Sequence, residues 1–134
     1  SNNHRRYLIY EKIIKRFPEI KIRKIPNHNE PLRDCIIFNF KNKNLADKCL
    51  HKLVKSNIAT KNVPDALEWH FVKYWDHIFK KYNISKKNLF KKFPQSSLNL
   101  EKSISIFIYT SESISSVKNK ANKLEKILSK VLRK

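Results

Sequence analysis

Residues Asp34 to Phe40 read DCIIFNF, and this stretch decides the fold. Ile36, Ile37, Phe38 and Phe40 crowd large apolar side chains into seven residues with no proline or glycine among them. β-Branched and aromatic residues in a short run of that kind suit a strand covered by other elements, so the stretch is expected to be the central strand of a sheet. Working outward, Ile20, Ile22 and Ile25 precede it in a short extended segment closed by Pro26, and PNHNEP reads as a loop. Downstream, SISIFIY from Ser103 to Tyr109 alternates and then turns apolar, as a second buried strand would.

Helical periodicity fills the intervals. Tyr7, Tyr10, Ile13, Ile14 and Phe17 share one face of a helix over residues 3–17, which Pro18 is expected to end. Asn44 is read as the cap of a helix carrying Leu45, Ala46, Cys49, Leu50, Leu53 and Val54. Ile58 to Thr60 suits a short strand, and Pro64 opens a helix running to about Tyr82, since proline is tolerated in the first helical turn. Residues 83–101 read as irregular and lysine-rich, and Ile114, Val117, Ala121, Leu124, Ile127, Leu128 and Val131 mark a final amphipathic helix. Mixed elements with short connections predict an α+β fold: one domain over residues 1–134, a small and mainly antiparallel sheet, and helices packed mostly on one face.

The formal charge of +19 favours contact with phosphate-rich partners. The lysines are spread along the whole chain rather than gathered in one arm, and no zinc finger, basic zipper or RNA-binding sheet pattern appears, so nucleic acid is not the expected partner. Cys35 and Cys49 are too far apart for a CxxC motif and read as reduced, packed thiols of a cytoplasmic protein. No run is long and apolar enough to span a bilayer, and the basic N-terminus has no apolar core of a signal peptide. Glycine is absent, which excludes the P-loop, the dinucleotide-binding fingerprint and the nucleophile elbow.

Against this lysine-rich background, TKNVPDALEWHFVKYWDH (Thr60 to His77) holds both tryptophans and two of the five histidines. Leu67, Phe71, Tyr74 and Ile78 follow one helical stripe, widened by Trp75, Phe79 and Tyr82, so most of these aromatics are expected in the core. His70 and His77 stand seven apart, not the three or four that suits a helical metal pair, and no metal site is expected. Asp76 beside His77 reads as a surface ion pair.

IATKNVPDALEWHFVKYWDHI, from Ile58 to Ile78, resembles the segment opening the C-terminal domain of the DegT/StrS family of pyridoxal-phosphate sugar aminotransferases. It is similar to a branch that reads roughly I-G-T-K-N-L-P-D-A-x-x-W-H-x-A-x-x-W-D-H. Thr60, Lys61, Asn62, Pro64, Asp65, Ala66, Trp69, His70, Trp75, Asp76 and His77 fall in place. LEKSISI, Leu100 to Ile106, resembles the family's L-x-R-T-I-S-I, and residues 3–26, 34–40 and 44–56 resemble the elements preceding the motif. Ala59 stands where that branch often has glycine, Lys102 where it has arginine and Phe107 where it has proline. Lysine for arginine changes any bidentate carboxylate or phosphate contact at that position.

The resemblance covers nearly all of this chain and only the C-terminal part of the family's chain. It implies a small domain that helps close the active site of an enzyme aminating a sugar, of nucleotide-sugar or octulosonate type, for surface polysaccharide such as lipopolysaccharide. The implied partners are the large domain of the same enzyme, a second subunit in a homodimer, the sugar and an amino-acid donor, with no membrane. Pyridoxal phosphate is implied in the full-length enzyme. None is expected on this chain, because the family's Schiff-base lysine lies in a glycine-rich context that no lysine here matches. No catalytic residue is assigned. Asn62, His70 and Lys61 are implied substrate contacts, and Trp69 and Trp75 the anchors of their helix. The competing reading is a stand-alone basic module for nucleic acid or an acidic protein.

Overall fold

A computed structural model describes residues 2–25, 31–60, 75–83 and 94–132. The chain enters as α1 (Asn2–Ile14), forms β1 (Lys21–Ile22) and β2 (Cys35–Asn39), and continues into α2 (Lys43–Lys55). Then follow α3 (Asp76–Lys81), α4 (Pro94–Glu101), β3 (Ser103–Phe107) and α5 (Ile114–Leu132). The sheet order is β1-β2-β3 and both pairings are antiparallel, so DCIIFNF does supply the central strand. Cys35 faces Phe107 and Asn39 faces Ser103 across the β2–β3 ladder, while Ile22 faces Phe38 across the other.

Strand alternation decides which side chains meet the helices. Ile36 and Phe38 of β2 and Ile104 and Ile106 of β3 join one buried cluster with Tyr10 and Ile14 of α1, Leu53 of α2, and Leu124 and Leu128 of α5. α5 lies between α1 and α2 in the contact pattern, packing against both, while α1 reaches β2 and α2 reaches β3. The fold is therefore α+β with an antiparallel sheet, as the sequence predicts. A polar clasp locks α1 to α5: the Arg6 guanidinium donates from Nε (2.8 Å) and Nη2 (2.6 Å) to the Glu112 carbonyl just ahead of α5, and Arg16 pairs with Glu125 at 2.5 Å.

Several boundaries differ from the sequence expectation. α1 stops at Ile14, ahead of Pro18, because the chain tightens into three-residue turns, with Arg16 N–H on the Ile13 carbonyl (3.1 Å) and Phe17 N–H on that of Ile14 (3.0 Å). Asn42, not Asn44, caps α2, its Oδ1 accepting from Leu45 N–H at 3.0 Å. Residues 94–101, expected to be irregular, form α4 with Pro94 in its first turn. The strand expected over Ile58 to Thr60 is reduced to one bridge, Thr60 to Ile106. Val54 and Tyr82, expected on apolar faces, are exposed. Both cysteines are free thiols, Cys49 buried and Cys35 half-buried.

Candidate functional site

The Thr60–His77 stretch is tied into the domain at its two described ends. At the first, α2 finishes in a Schellman turn without glycine. Asn57 takes the left-handed conformation (φ 56°), its N–H reaches the Val54 carbonyl, and Ile58 N–H reaches the Leu53 carbonyl at 3.0 Å. Asparagine tolerates that conformation better than other residues with a Cβ. Leu53 and Ile58, the pair such a turn brings together, are both buried. The Ala59 carbonyl then accepts from Phe107 N–H at 3.2 Å and Thr60 bridges Ile106, so the chain runs along the outer edge of β3.

At the second end, Trp75 is half-buried and caps α3. Its ψ of 42° is not helical, so α3 begins at Asp76 and the helix expected from Pro64 to Tyr82 does not pass through Trp75 unbroken. The Trp75 carbonyl accepts from Ile78 N–H at 3.0 Å and Phe79 N–H at 3.1 Å. Phe79 is buried and pins this short helix, with Asp76 at its positive end and Lys80 and Lys81 at its negative end. Asp76 and His77 are both exposed. Lys61, Asn62, Trp69 and His70 lie outside the described residues, as do Leu67, Phe71 and Tyr74 of the expected stripe.

Lys102 occupies a different place. It links α4 to β3, and its carbonyl accepts from Phe40 N–H at 2.9 Å, extending the ladder to the end of β2. A cavity of about 580 Å³ opens at this end of the sheet, where Lys21, Lys41 and Lys102 converge from the ends of three strands beside Asn39 and Asn99, with Glu19 on the rim. Ser103 Oγ sits between Asn39 Oδ1, at 2.9 Å, and the Asn99 carbonyl. Three ammonium groups against one carboxylate suit an anionic group of a ligand. No described residue of Ile58–Ile78 lines this cavity, so the structure does not bring Lys102 together with the described ends of the motif. Sequence reasoning picked out Lys102 and missed Lys21 and Lys41, whose only signal was their position flanking the predicted strands.

The described residues offer little covalent chemistry. Burial pushes the Cys49 thiol up to about 12, leaving it protonated and inert at neutral pH. Burial, reinforced by nearby Glu112, also raises Tyr10 above the ordinary phenol range, so it stays a neutral core residue. Among the described residues no three His, Cys, Asp or Glu side chains group as metal ligands, and no helix is long and apolar enough to cross a membrane. No protein-family model matches the sequence, and a search of curated proteins returns no match.

Proposed function

We propose that this chain is the C-terminal small domain of a pyridoxal-phosphate-dependent sugar aminotransferase of DegT/StrS type. The observation that carries the reading is the dense resemblance of Ile58–Ile78, in a stretch anchored to the domain at both described ends. The three-stranded antiparallel sheet under packed helices suits a small domain that covers one side of a cleft.

In this reading the cofactor is held outside residues 1–134. When bound, it supplies an electron sink for transamination. A Schiff-base lysine needs a desolvated setting that favours its neutral amine, and among the described residues no lysine is buried. The domain's part is to bind and enclose. In this reading Lys61, Asn62 and His70 present polar groups to the sugar or the amino donor, and Trp69 and Trp75 hold their segment in place. The cavity at Lys102 offers a second anion-holding position, with an ammonium where the family has a planar guanidinium.

The test is to purify the full-length gene product with pyridoxal phosphate, trap the adduct with borohydride and map it. The expected adduct lies on a lysine outside residues 1–134. His70→Ala is expected to lower single-turnover transamination with little change in Tm, whereas Trp69→Ala lowers Tm. An adduct inside this chain, or a gene with no upstream glycine-rich, lysine-bearing domain, overturns the reading.

A second reading, a basic module for nucleic acid or an acidic protein, has one observation in its favour. The outward positions of α5, Lys118, Asn119, Asn122, Lys123, Lys126 and Lys130, include no acidic residue. Binding through such a stripe is sequence-independent and falls steeply with salt. A tight, sequence-selective complex with DNA or RNA that survives 0.2 M salt, on the order of physiological screening, would favour this reading over the first.

A further inference from the structure

Arginine is scarce in this chain, with six against twenty-four lysines, so where the arginines go is informative. Arg6 holds the Glu112 carbonyl and Arg16 holds Glu125, both structural. Arg5 projects from the exposed side of α1. Arg23 and Arg33 line one cleft, a cavity of about 370 Å³ between α1 and the chain flanking β1 and β2. Tyr7, Glu11 and Lys15 form its helix side, and Lys24 joins the arginines opposite.

The charges there are not balanced. Glu11 pairs with Lys15 at 3.1 Å. Among the described residues Arg23, Lys24 and Arg33 make no ion pair, which leaves three cations facing one small cavity. The Arg33 guanidinium lies over the Tyr7 ring, 5.2 Å from its centroid, a favourable cation–π contact that holds the head at the cleft. Tyr7 registers the convergence: burial and Glu11 raise its phenol above the ordinary value, while the fields of Arg33 and Arg23 oppose that rise. The backbone places both heads. Arg23 N–H is held by the Ile37 carbonyl at 2.9 Å, just beyond β1. Arg33 is locked in a left-handed conformation, φ 55°, one residue before Asp34, whose carbonyl accepts from Ile108 N–H. The other left-handed residues described, Asn57 and Asn83, both follow helix ends where that geometry is routine. Arg33 has no helix to terminate, and strained residues of this kind gather at ligand sites.

We propose that this cleft binds a small phosphate-bearing metabolite, with its phosphoryl group held between the forks of Arg23 and Arg33 and its second charge balanced by Lys24. A dianion matches the surplus of cations better than a monocarboxylate does. The planar forks suit its oxygens bidentately, and the volume lies within the usual range for small-molecule sites. The site is separate from the aminotransferase reading and stands whether or not that reading holds.

The test is calorimetric titration of the 134-residue chain at near-physiological salt, with inorganic phosphate, pyrophosphate, acetate and citrate as probes. Saturable one-to-one binding of pyrophosphate and phosphate is expected, with acetate and citrate at least roughly tenfold weaker, a difference of one good charged contact. Arg23→Ala and Arg33→Lys should each weaken pyrophosphate binding by about tenfold or more, and Lys126→Ala, on the far helix face, should leave it unchanged. Arg33→Gly keeps the left-handed backbone and serves as the folded control for loss of the fork. Non-saturating binding, citrate equal to pyrophosphate, or full affinity in Arg33→Lys overturns the proposal. So does a short DNA duplex whose binding Arg33→Gly and Lys126→Ala weaken alike, since the cations would then act as one diffuse polyanion surface.

Discussion

On the helix side of β2, Ile36 and Phe38 have no solvent exposure, and Cys49 lies equally hidden where α2 packs over the sheet. On the other side of the same strand, Cys35, Ile37 and Asn39 are only half-buried. An isoleucine and a thiol occur on each side, Ile36 with Cys49 of α2 on one and Ile37 with Cys35 on the other. What differs is what stands opposite. One side meets three helices that exclude water. The other meets no described helix of the buried cluster, and Lys21 stands opposite Asn39 along it. Stability is concentrated on the first side, and partial exposure on the second.

The largest expected effect contrasts the two thiols. Cys49, with its thiol raised to about 12 by burial, should react with a disulfide reagent at pH 8 only when the domain opens. Cys35 should react from the native state, roughly a thousandfold or more faster for a domain of ordinary stability. Comparable rates in mass-resolved labelling would mean that the helix side is not closed. Next comes packing. Phe38→Ala should cost about 3–5 kcal/mol in urea denaturation, the range for a fully buried phenylalanine, while Ile37→Ala on the half-buried side should cost about 1–2 kcal/mol. Equal losses would erase the distinction between the sides.

Smaller effects test two of the left-handed residues. Asn57→Ala should destabilise by about 1 kcal/mol, since alanine is unsuited to that conformation, while Asn57→Gly should be near neutral. Arg33→Gly should raise stability by about 1 kcal/mol by relieving strain with no helix turn to lose, even as it abolishes anion binding. A loss of stability in Arg33→Gly would make Arg33 an ordinary packing residue. The smallest effect is acid sensitivity at the clasp. Burial pushes Glu112 up, but hydrogen bonds from Lys120 and Ser116, together with the charges of Lys120 and Arg6, outweigh it and hold the carboxyl below its ordinary value. A depressed carboxylate stabilises the fold above its unfolded pKa, and that contribution is lost as pH falls through the folded value. Glu112→Gln should therefore flatten the stability profile on the acid side by about 1 kcal/mol or less, as befits a group near the surface.

The helix side was legible in the sequence because its residues are dense in large apolar types or follow the helical period. DCIIFNF is dense enough in isoleucine and phenylalanine to mark β2, and Val117, Ala121, Leu124 and Leu128 repeat at helical spacing. α4 was missed because the side chains described on it, Gln95, Ser96, Leu98 and Asn99 among them, are exposed and carry no apolar stripe to register. Asn42 and Asn44 are equally good caps by type, and only the hydrogen bond to Leu45 separates them. The non-helical ψ at Trp75 had no proline or glycine to announce it. The arginine cleft was invisible for a different reason: Arg23 and Arg33 are ten residues apart, and antiparallel pairing folds their surroundings together. Their scarcity among so many lysines was the available clue. The implied substrate contacts Lys61, Asn62 and His70 rest on resemblance and fall outside the described residues.

The clasp between Arg6 and Glu112 joins residues 106 apart in the chain, and the Asn39–Ser103 hydrogen bond closes a span of 64. During synthesis at about 5–20 residues per second, α1 emerges roughly 5–20 s before its acceptor exists. The ladder of β2 to β3 and the docking of α1 on α5 are both non-local closures, the slow kind. For that interval the apolar face of α1, Tyr10 and Ile14 foremost, has β2 to meet but lacks α5, its main partner. The nascent chain is therefore most vulnerable to misassociation before α5 is made, and a holdase that covers the α1 face in that window would raise yield more than any change to the finished fold.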